Sequence, residues 1–284
     1  MILKRQAPAK LNLGLHVLRK RPDGFHDLET VFLRIPWADV VTVRPSRRVG
    51  LTCSDSSLTT DETNLVMKAA LRLAEAAGVE KGAALHLDKR LPHGAGLGGG
   101  SSDAAATLCL LADFWTLDVP DETLHRLALT LGSDVPFFLG PDAAYATGRG
   151  EILTPLRDPA TGAVYRLPYA LVVVVPPVHV STAAAYARVR PRATDRPDLR
   201  ALVVSNNLTR WRAALVNDFE TPIFEQYPEI RIVKEALLEA GAGYAAMSGS
   251  GSAVFGVFED QDAATAAADA ARRKGHRVSQ SGTG

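Results

Sequence analysis

The chain has 284 residues, 46% of them hydrophobic and 22% charged, with 32 Lys and Arg against 31 Asp and Glu. That balance excludes a disordered polyelectrolyte, and a net charge of +1 leaves no global field for gathering nucleic acid. Its longest apolar run, Ala170 to Val175, has the length of a strand, no signal-peptide core follows Lys4, Arg5 and Lys10, and Cys53 and Cys109 form no CxxC, so a reducing, cytoplasmic protein without a membrane partner is expected.

In chain order, the alternation from Ala9 puts Leu11, Leu13, Leu15 and Val17 on one face of a strand and Lys10 and Asn12 on the other. Further strands are predicted over 31–44 and 49–53, then a helix over 64–77 with Leu65, Ala69, Leu73 and Ala76 in a stripe and Gly78 closing it. A strand at 83–87 leads into a glycine-rich segment, after which helices are expected at 103–115 and 121–131 and a further one starting at Ser133-Asp134-Val135-Pro136. Composition turns to Pro, Gly, Thr and charge over 151–166, which places a domain boundary there and divides the chain into 1–152 and 153–284. The second part reads as a strand at 169–175, a Pro- and Arg-rich loop at 188–200, helices around 211–219 and 230–240, strands at 243–247 and 253–258, and an Ala-rich surface helix over 263–271. Several strands precede each helix, so the class is α+β rather than a regular doubly wound sheet.

The strongest chemical signal is Pro92-His93-Gly94-Ala95-Gly96-Leu97-Gly98-Gly99-Gly100-Ser101-Ser102. Five glycines let backbone N–H groups turn toward an anion, Ser101 and Ser102 are candidate N-caps, and the dipole of the helix from Asp103 points to the same place. The segment formally matches a dinucleotide fingerprint, but Asp88-Lys89-Arg90-Leu91-Pro92 is a poor entering strand, and the position where a Walker loop has its Lys holds Gly100. A phosphate cradle with no lysine of its own needs a cation from elsewhere. Lys10 is that candidate, its alternative role being a charge that protects a strand edge. Asp134 either caps a helix or serves as a carboxylate that takes a hydroxyl proton. A second small-residue cluster, Ser248-Gly249-Ser250-Gly251-Ser252, reads as a tight turn between two strands.

Pro8-Ala9-Lys10-Leu11-Asn12-Leu13, Leu97-Gly98-Gly99-Gly100-Ser101-Ser102-Asp103-Ala104-Ala105 and Ser248-Gly249-Ser250-Gly251, in that order, resemble the motifs of the GHMP small-molecule kinases. The resemblance implies a two-domain α+β fold, with an N-terminal domain like domain 2 of ribosomal protein S5 and a ferredoxin-like C-terminal domain. It implies ATP as phosphoryl donor bound by residues 92–102, Mg2+ with no protein ligand that can be named, and Lys10 and Asp134 as catalytic residues. Arg21-Pro22-Asp23-Gly24-Phe25-His26-Asp27-Leu28 and Gly132 to Phe138 are similar to the branch of these kinases whose acceptor is a small molecule carrying cytidine diphosphate. On that resemblance Asn12, Phe25, His26 and Tyr186 bind the substrate, with rings on both faces of its cytosine. Phe25 departs from the Tyr more usual there, which keeps the ring and loses a hydroxyl. The rivals are a GHMP kinase for mevalonate or homoserine, which the Gly24-Phe25-His26 segment argues against, and a nucleotide-binding protein without catalysis, which the presence of both Lys10 and Asp134 argues against.

Overall fold

The alternation from Ala9 becomes part of an 18-residue strand, β1 (Leu3–Lys20), in the computed structural model, which describes residues 1–282. Both faces of its middle are covered, so Lys10 and Asn12, expected on a polar face, are 4% and 2% exposed. Contacts group the residues into two units that are each discontinuous in sequence. One comprises Met1–Ala9, Ile35–His93 and Gly98–Pro141; the other comprises Lys10–Arg34, Gly94–Leu97 and the chain from Asp142 on. A single cut between residues 152 and 153 does not coincide with them, because β1, β2 (His26–Ser46) and the glycine-rich segment each pass from one unit to the other.

In the first unit the end of β2 pairs antiparallel with β4 (Gly82–Asp88), from Val40 opposite Asp88 to Ser46 opposite Gly82, and β3 (Gly50–Cys53) runs parallel to β4. Against them pack α1 (Leu65–Ala77), α2 (Gly99–Trp115) and α3 (Asp121–Leu131), around a core that includes Leu73, Leu85, Leu87, Leu108 and Leu111. Asn64 Oδ1 caps α1 by accepting from the N–H of Val66 at 2.9 Å, and Gly78, at φ 62°, ends it in the left-handed conformation a side chain disfavours. The helix expected from Ser133 is a five-residue 3₁₀ turn, Val135–Leu139, packed on α2.

In the second unit β5 (Ala143–Thr147) pairs with the first part of β2 and with β6 (Ile152–Pro155). A second sheet has the order β10-β7-β9-β8, from β7 (Ala170–Val175), β8 (Tyr244–Met247), β9 (Val254–Phe258) and β10 (Arg277–Ser281), with every neighbouring pair antiparallel. Between β7 and β8 lie α4 (Thr182–Arg188), α5 (Leu199–Val204), α6 (Leu208–Ala214), α7 (Glu220–Gln226) and α8 (Pro228–Glu239), and α9 (Gln261–Arg273) joins β9 to β10. This β-α-β-β-α-β connection with spatial order 4-1-3-2 is the ferredoxin-like arrangement expected of the C-terminal part. Instead of one helix over 211–219, residues 215–218 leave the helix to pair with β1: Leu15 N–H donates to the Val216 carbonyl, and Asp218 N–H to that of Leu15, both at 2.9 Å. The Ala-rich helix buries Ala264, Ala267 and Ala268, so only part of its circumference is surface. No helix among the described residues is long and apolar enough to cross a membrane.

Leu73 is fully buried in the first unit's core. Leu73→Ala should cost about 2–5 kcal/mol in urea unfolding; a loss under about 1 kcal/mol would contradict its packing there.

Candidate active site

Lys10 Nζ donates to Asn12 Oδ1 at 2.6 Å and to the carbonyl of Gly96 at 3.2 Å, and stands 5.0 Å from the centre of the Phe32 ring. Asn12 is fixed in turn: its Nδ2 donates to Thr30 Oγ1 at 3.0 Å, and the Thr30 hydroxyl donates to the Gly14 carbonyl at 2.6 Å. Ser248 Oγ accepts from the Asn12 N–H at 3.2 Å and donates to the Gly96 carbonyl at 3.0 Å. The turn expected at 248–252 therefore also holds the glycine-rich segment, as does the bond from the Ala253 N–H to the Ala95 carbonyl at 3.0 Å. At Gly96, with φ 77°, a Cβ would lie 2.1 Å from the Ser248 carbonyl oxygen, which no side chain can accept. Buried Asn217 supports the turn by donating from Nδ2 to the carbonyls of Met247 and Gly249, both at 2.8 Å.

Residues 98–102 belong to the first unit. Gly98 takes φ 68° and starts α2 at Gly99, four residues before the expected start, so Ser101 and Ser102 lie inside the first turns of the helix and are not its caps. The Ser102 N–H closes that turn on the Gly98 carbonyl at 2.9 Å. Ser102 Oγ is buried with no hydrogen-bond partner among the described residues. Pro92 is half-buried and His93 and Gly94 are exposed, with the ring of His179 packed against Gly94. Asp134 is half-buried at the start of the 3₁₀ turn and its carboxylate makes no capping bond to it, contrary to the helix-cap alternative.

The segment 21–28 is a turn locked by charge. Arg21 Nη1 bonds Asp27 at 2.7 Å and its Nε bonds Asp23 at 3.0 Å, while Asp23 Oδ1 accepts from the Phe25 N–H at 3.1 Å in an Asx turn. It presents Phe25 at 52% exposure, with the Arg149 guanidinium 4.9 Å from its ring centre. The ring stacked on Tyr186 is His26, with centres 5.0 Å apart and planes 23° apart, and Phe219 meets Tyr186 edge-on at 4.8 Å. Partial burial, then the charge of Lys20, lowers the pKa of His26 and favours the neutral ring.

The structure thus brings Lys10, Asn12 and Gly96 into one network and His26 and Tyr186 into one stack. Thr30, Asn217, His179 and Arg149 escaped the sequence reading, since none lies in a motif and each is recognised only by what it touches.

Models of the GHMP kinases N terminal domain and GHMP kinases C terminal match residues 64–140 and 198–277. A relative from Salinibacter ruber, a 4-diphosphocytidyl-2-C-methyl-D-erythritol kinase, is 55% identical over 94% of each chain. A crystal structure of a 4-(cytidine 5'-diphospho)-2C-methyl-D-erythritol kinase, 39% identical, matches with a TM-score of 0.81 over 99% of this chain and 100% of that one. A homoserine kinase from Cytophaga hutchinsonii matches with a TM-score of 0.71 at 20% identity, covering 99% of this chain and 95% of its own, a likeness of fold alone. The chain is therefore a member of the GHMP kinases, and within them it belongs to the 4-diphosphocytidyl-2-C-methyl-D-erythritol kinase family.

Gly96→Ala should lower stability by about 1–3 kcal/mol, because it adds both a clash and a left-handed strain. At Gly100 a Cβ would meet only Leu65, at 3.6 Å. Gly100→Ala should therefore change thermal stability little, and equal losses in the two variants would refute the packing of Gly96 against Ser248.

Proposed function

We infer that this chain transfers the terminal phosphoryl group of ATP to the 2-hydroxyl of 4-diphosphocytidyl-2-C-methyl-D-erythritol, a step of the non-mevalonate route to isoprenoid precursors. The observation that carries the reading is the buried ammonium of Lys10, aimed by Asn12 and by the Gly96 carbonyl within the glycine-rich segment, in a chain 55% identical to a kinase of that name. Functionally, residues 1–152 supply the nucleotide loop, Lys10 and Asp134, and residues 153–284 contribute Tyr186.

The backbone N–H groups of 92–102 and the start of α2 bind the ATP phosphates, where orphan helix donors and the dipole favour anions. Asp134 accepts the proton of the attacking hydroxyl, and Lys10 offsets negative charge on the reacting oxygens. Asn12 orients Lys10 and lies beside the acceptor. His26, Tyr186 and Phe25 bind the cytosine, a neutral His26 being suited to stacking and to hydrogen bonding with an uncharged base. The buried, unpartnered Ser102 hydroxyl fits a hard cation, so Ser102 together with phosphate oxygens would hold Mg2+, which would neutralise charge on the transferring group.

ADP release with the cytidine substrate, and none above background with mevalonate or homoserine, is the expected result; turnover of mevalonate instead, or no turnover at all, would overturn the reading. Asp134→Asn should fold and bind ATP yet lose about 10²- to 10⁴-fold in kcat, and Lys10→Ala should lower kcat more than it raises either KM. Tyr186→Ala should raise KM for the cytidine substrate by about 2- to 12-fold, the equivalent of a lost stacking interaction, with KM for ATP unchanged. Equal shifts in both KM values would remove Tyr186 from the cytosine site.

A further inference from the structure

The glycine-rich segment has no lysine inside it, but one lies just before it. Lys89, 3% exposed at its side chain, donates from Nζ to Asp39 Oδ2 at 2.5 Å and to Asp103 Oδ2 at 2.8 Å, and these carboxylates are 0% and 3% exposed. The other oxygen of Asp39 accepts from the N–H groups of Arg90 at 2.5 Å and Leu91 at 2.7 Å, the two residues that precede Pro92. Asp103 stands one turn into α2, and a Cβ on Gly99 would lie only 3.1 Å from Lys89 Nζ, so the ammonium lies against the first turn of that helix. One buried cation thus joins the chain entering the segment, through Asp39, to the helix leaving it, through Asp103. All of these groups belong to the first unit.

We propose that Lys89 is a positioning residue for nucleotide binding: held by Asp39 and Asp103, it fixes the first turn of α2 so that its N–H groups meet the ATP phosphates. The inference rests on the reading of residues 92–102 as the ATP phosphate loop. Lys89 does not touch the phosphates, because both carboxylates hold it in the interior. It acts through backbone geometry, and donors displaced by about 1 Å lose much of their value to a fixed anion. The acceptor alcohol and its cytosine bind to other groups, so the effect falls on ATP.

The test measures ATP affinity by calorimetry and both KM values for the full-length protein. Lys89→Met, which keeps the stem and removes the charge, should weaken ATP binding and raise KM for ATP by about 10-fold or more, as expected when a buried ion pair loses one partner. KM for the cytidine substrate and kcat at saturating ATP should stay within about 3-fold, since no contact with the reacting groups is removed. Lys89→Arg, which can still bridge both carboxylates, should restore ATP binding. Leu73→Ala, buried in the same unit's core and outside the bonds of Lys89, Asp39 and Asp103, should lower stability with no change in ATP affinity, and so separates positioning from general destabilisation. Should Lys89→Met fail to fold, Lys89→Gln, which retains one hydrogen bond, should show the same selective loss to a smaller degree. Unchanged ATP affinity in a folded Lys89→Met or Lys89→Gln, or a parallel rise of both KM values, would overturn the proposal while the loop reading stood. Failure of the wild-type protein to bind ATP would instead overturn the loop reading, and this inference with it.

Discussion

A lysine ammonium taken out of water must find acceptors for its N–H groups, or burial costs more than a folded domain can offset. For Lys10 those acceptors include Asn12 Oδ1 and the Gly96 carbonyl, and neither is a free choice. Asn12 must be turned toward Lys10 by Thr30, and the Gly96 carbonyl must be brought in by Ser248, which requires a residue without Cβ at 96 and the support of Asn217 behind the turn. The requirement to satisfy one cation thus accounts for polar groups in β1, β2 and the turn before β9 that would otherwise be liabilities in an apolar interior.

The bonds that aim Lys10 and hold the glycine-rich segment draw on one set of residues, Asn12, Thr30, Gly96, Ser248 and Asn217. The charge-locked turn at 21–28 and the aromatic stack of His26, Tyr186 and Phe219 form a separate set. On the function proposed above, the first set serves phosphate chemistry and the second substrate choice, and Phe25 falls in the second.

Elements with a strong local pattern were legible in the sequence: α1 with its apolar stripe and Gly78 stop, the apolar β7, and the glycine-rich segment. The start of α2 was not, because Ser-Ser-Asp is a good capping sequence and only the positive φ of Gly98 shows that the helix begins earlier. The break at 215–218 was not read, although Val216, Asn217 and Asp218 are poor helix formers, because the pairing with β1 that it serves joins Leu15 to Val216 and Asp218, far apart in the chain. Lys10 and Asp134 stand as candidates through their motifs and Tyr186 through the resemblance alone, but the bonds that aim Lys10 run between distant segments and leave no periodicity to read. For Phe25 and Tyr186 the expected rings are present, yet the partner stacked on Tyr186 is His26, since ring orientation depends on neighbours such as Arg149 that the linear pattern does not reveal.

The discontinuity of the two units has a consequence for how the protein comes into being. Lys10–Arg34 leaves the ribosome well before the residues from 142 onward with which it belongs, and the bond between Asn12 and Ser248 spans 236 positions. The polar side chains of β1 must therefore wait, unpaired and hydrated, while most of the chain is made, and contacts of such high sequence separation close slowly. A nascent chain that stops short of β8 has no Ser248 to bring the Gly96 carbonyl to Lys10. Assembly of this lysine's surroundings therefore waits until the turn after β8 has been made.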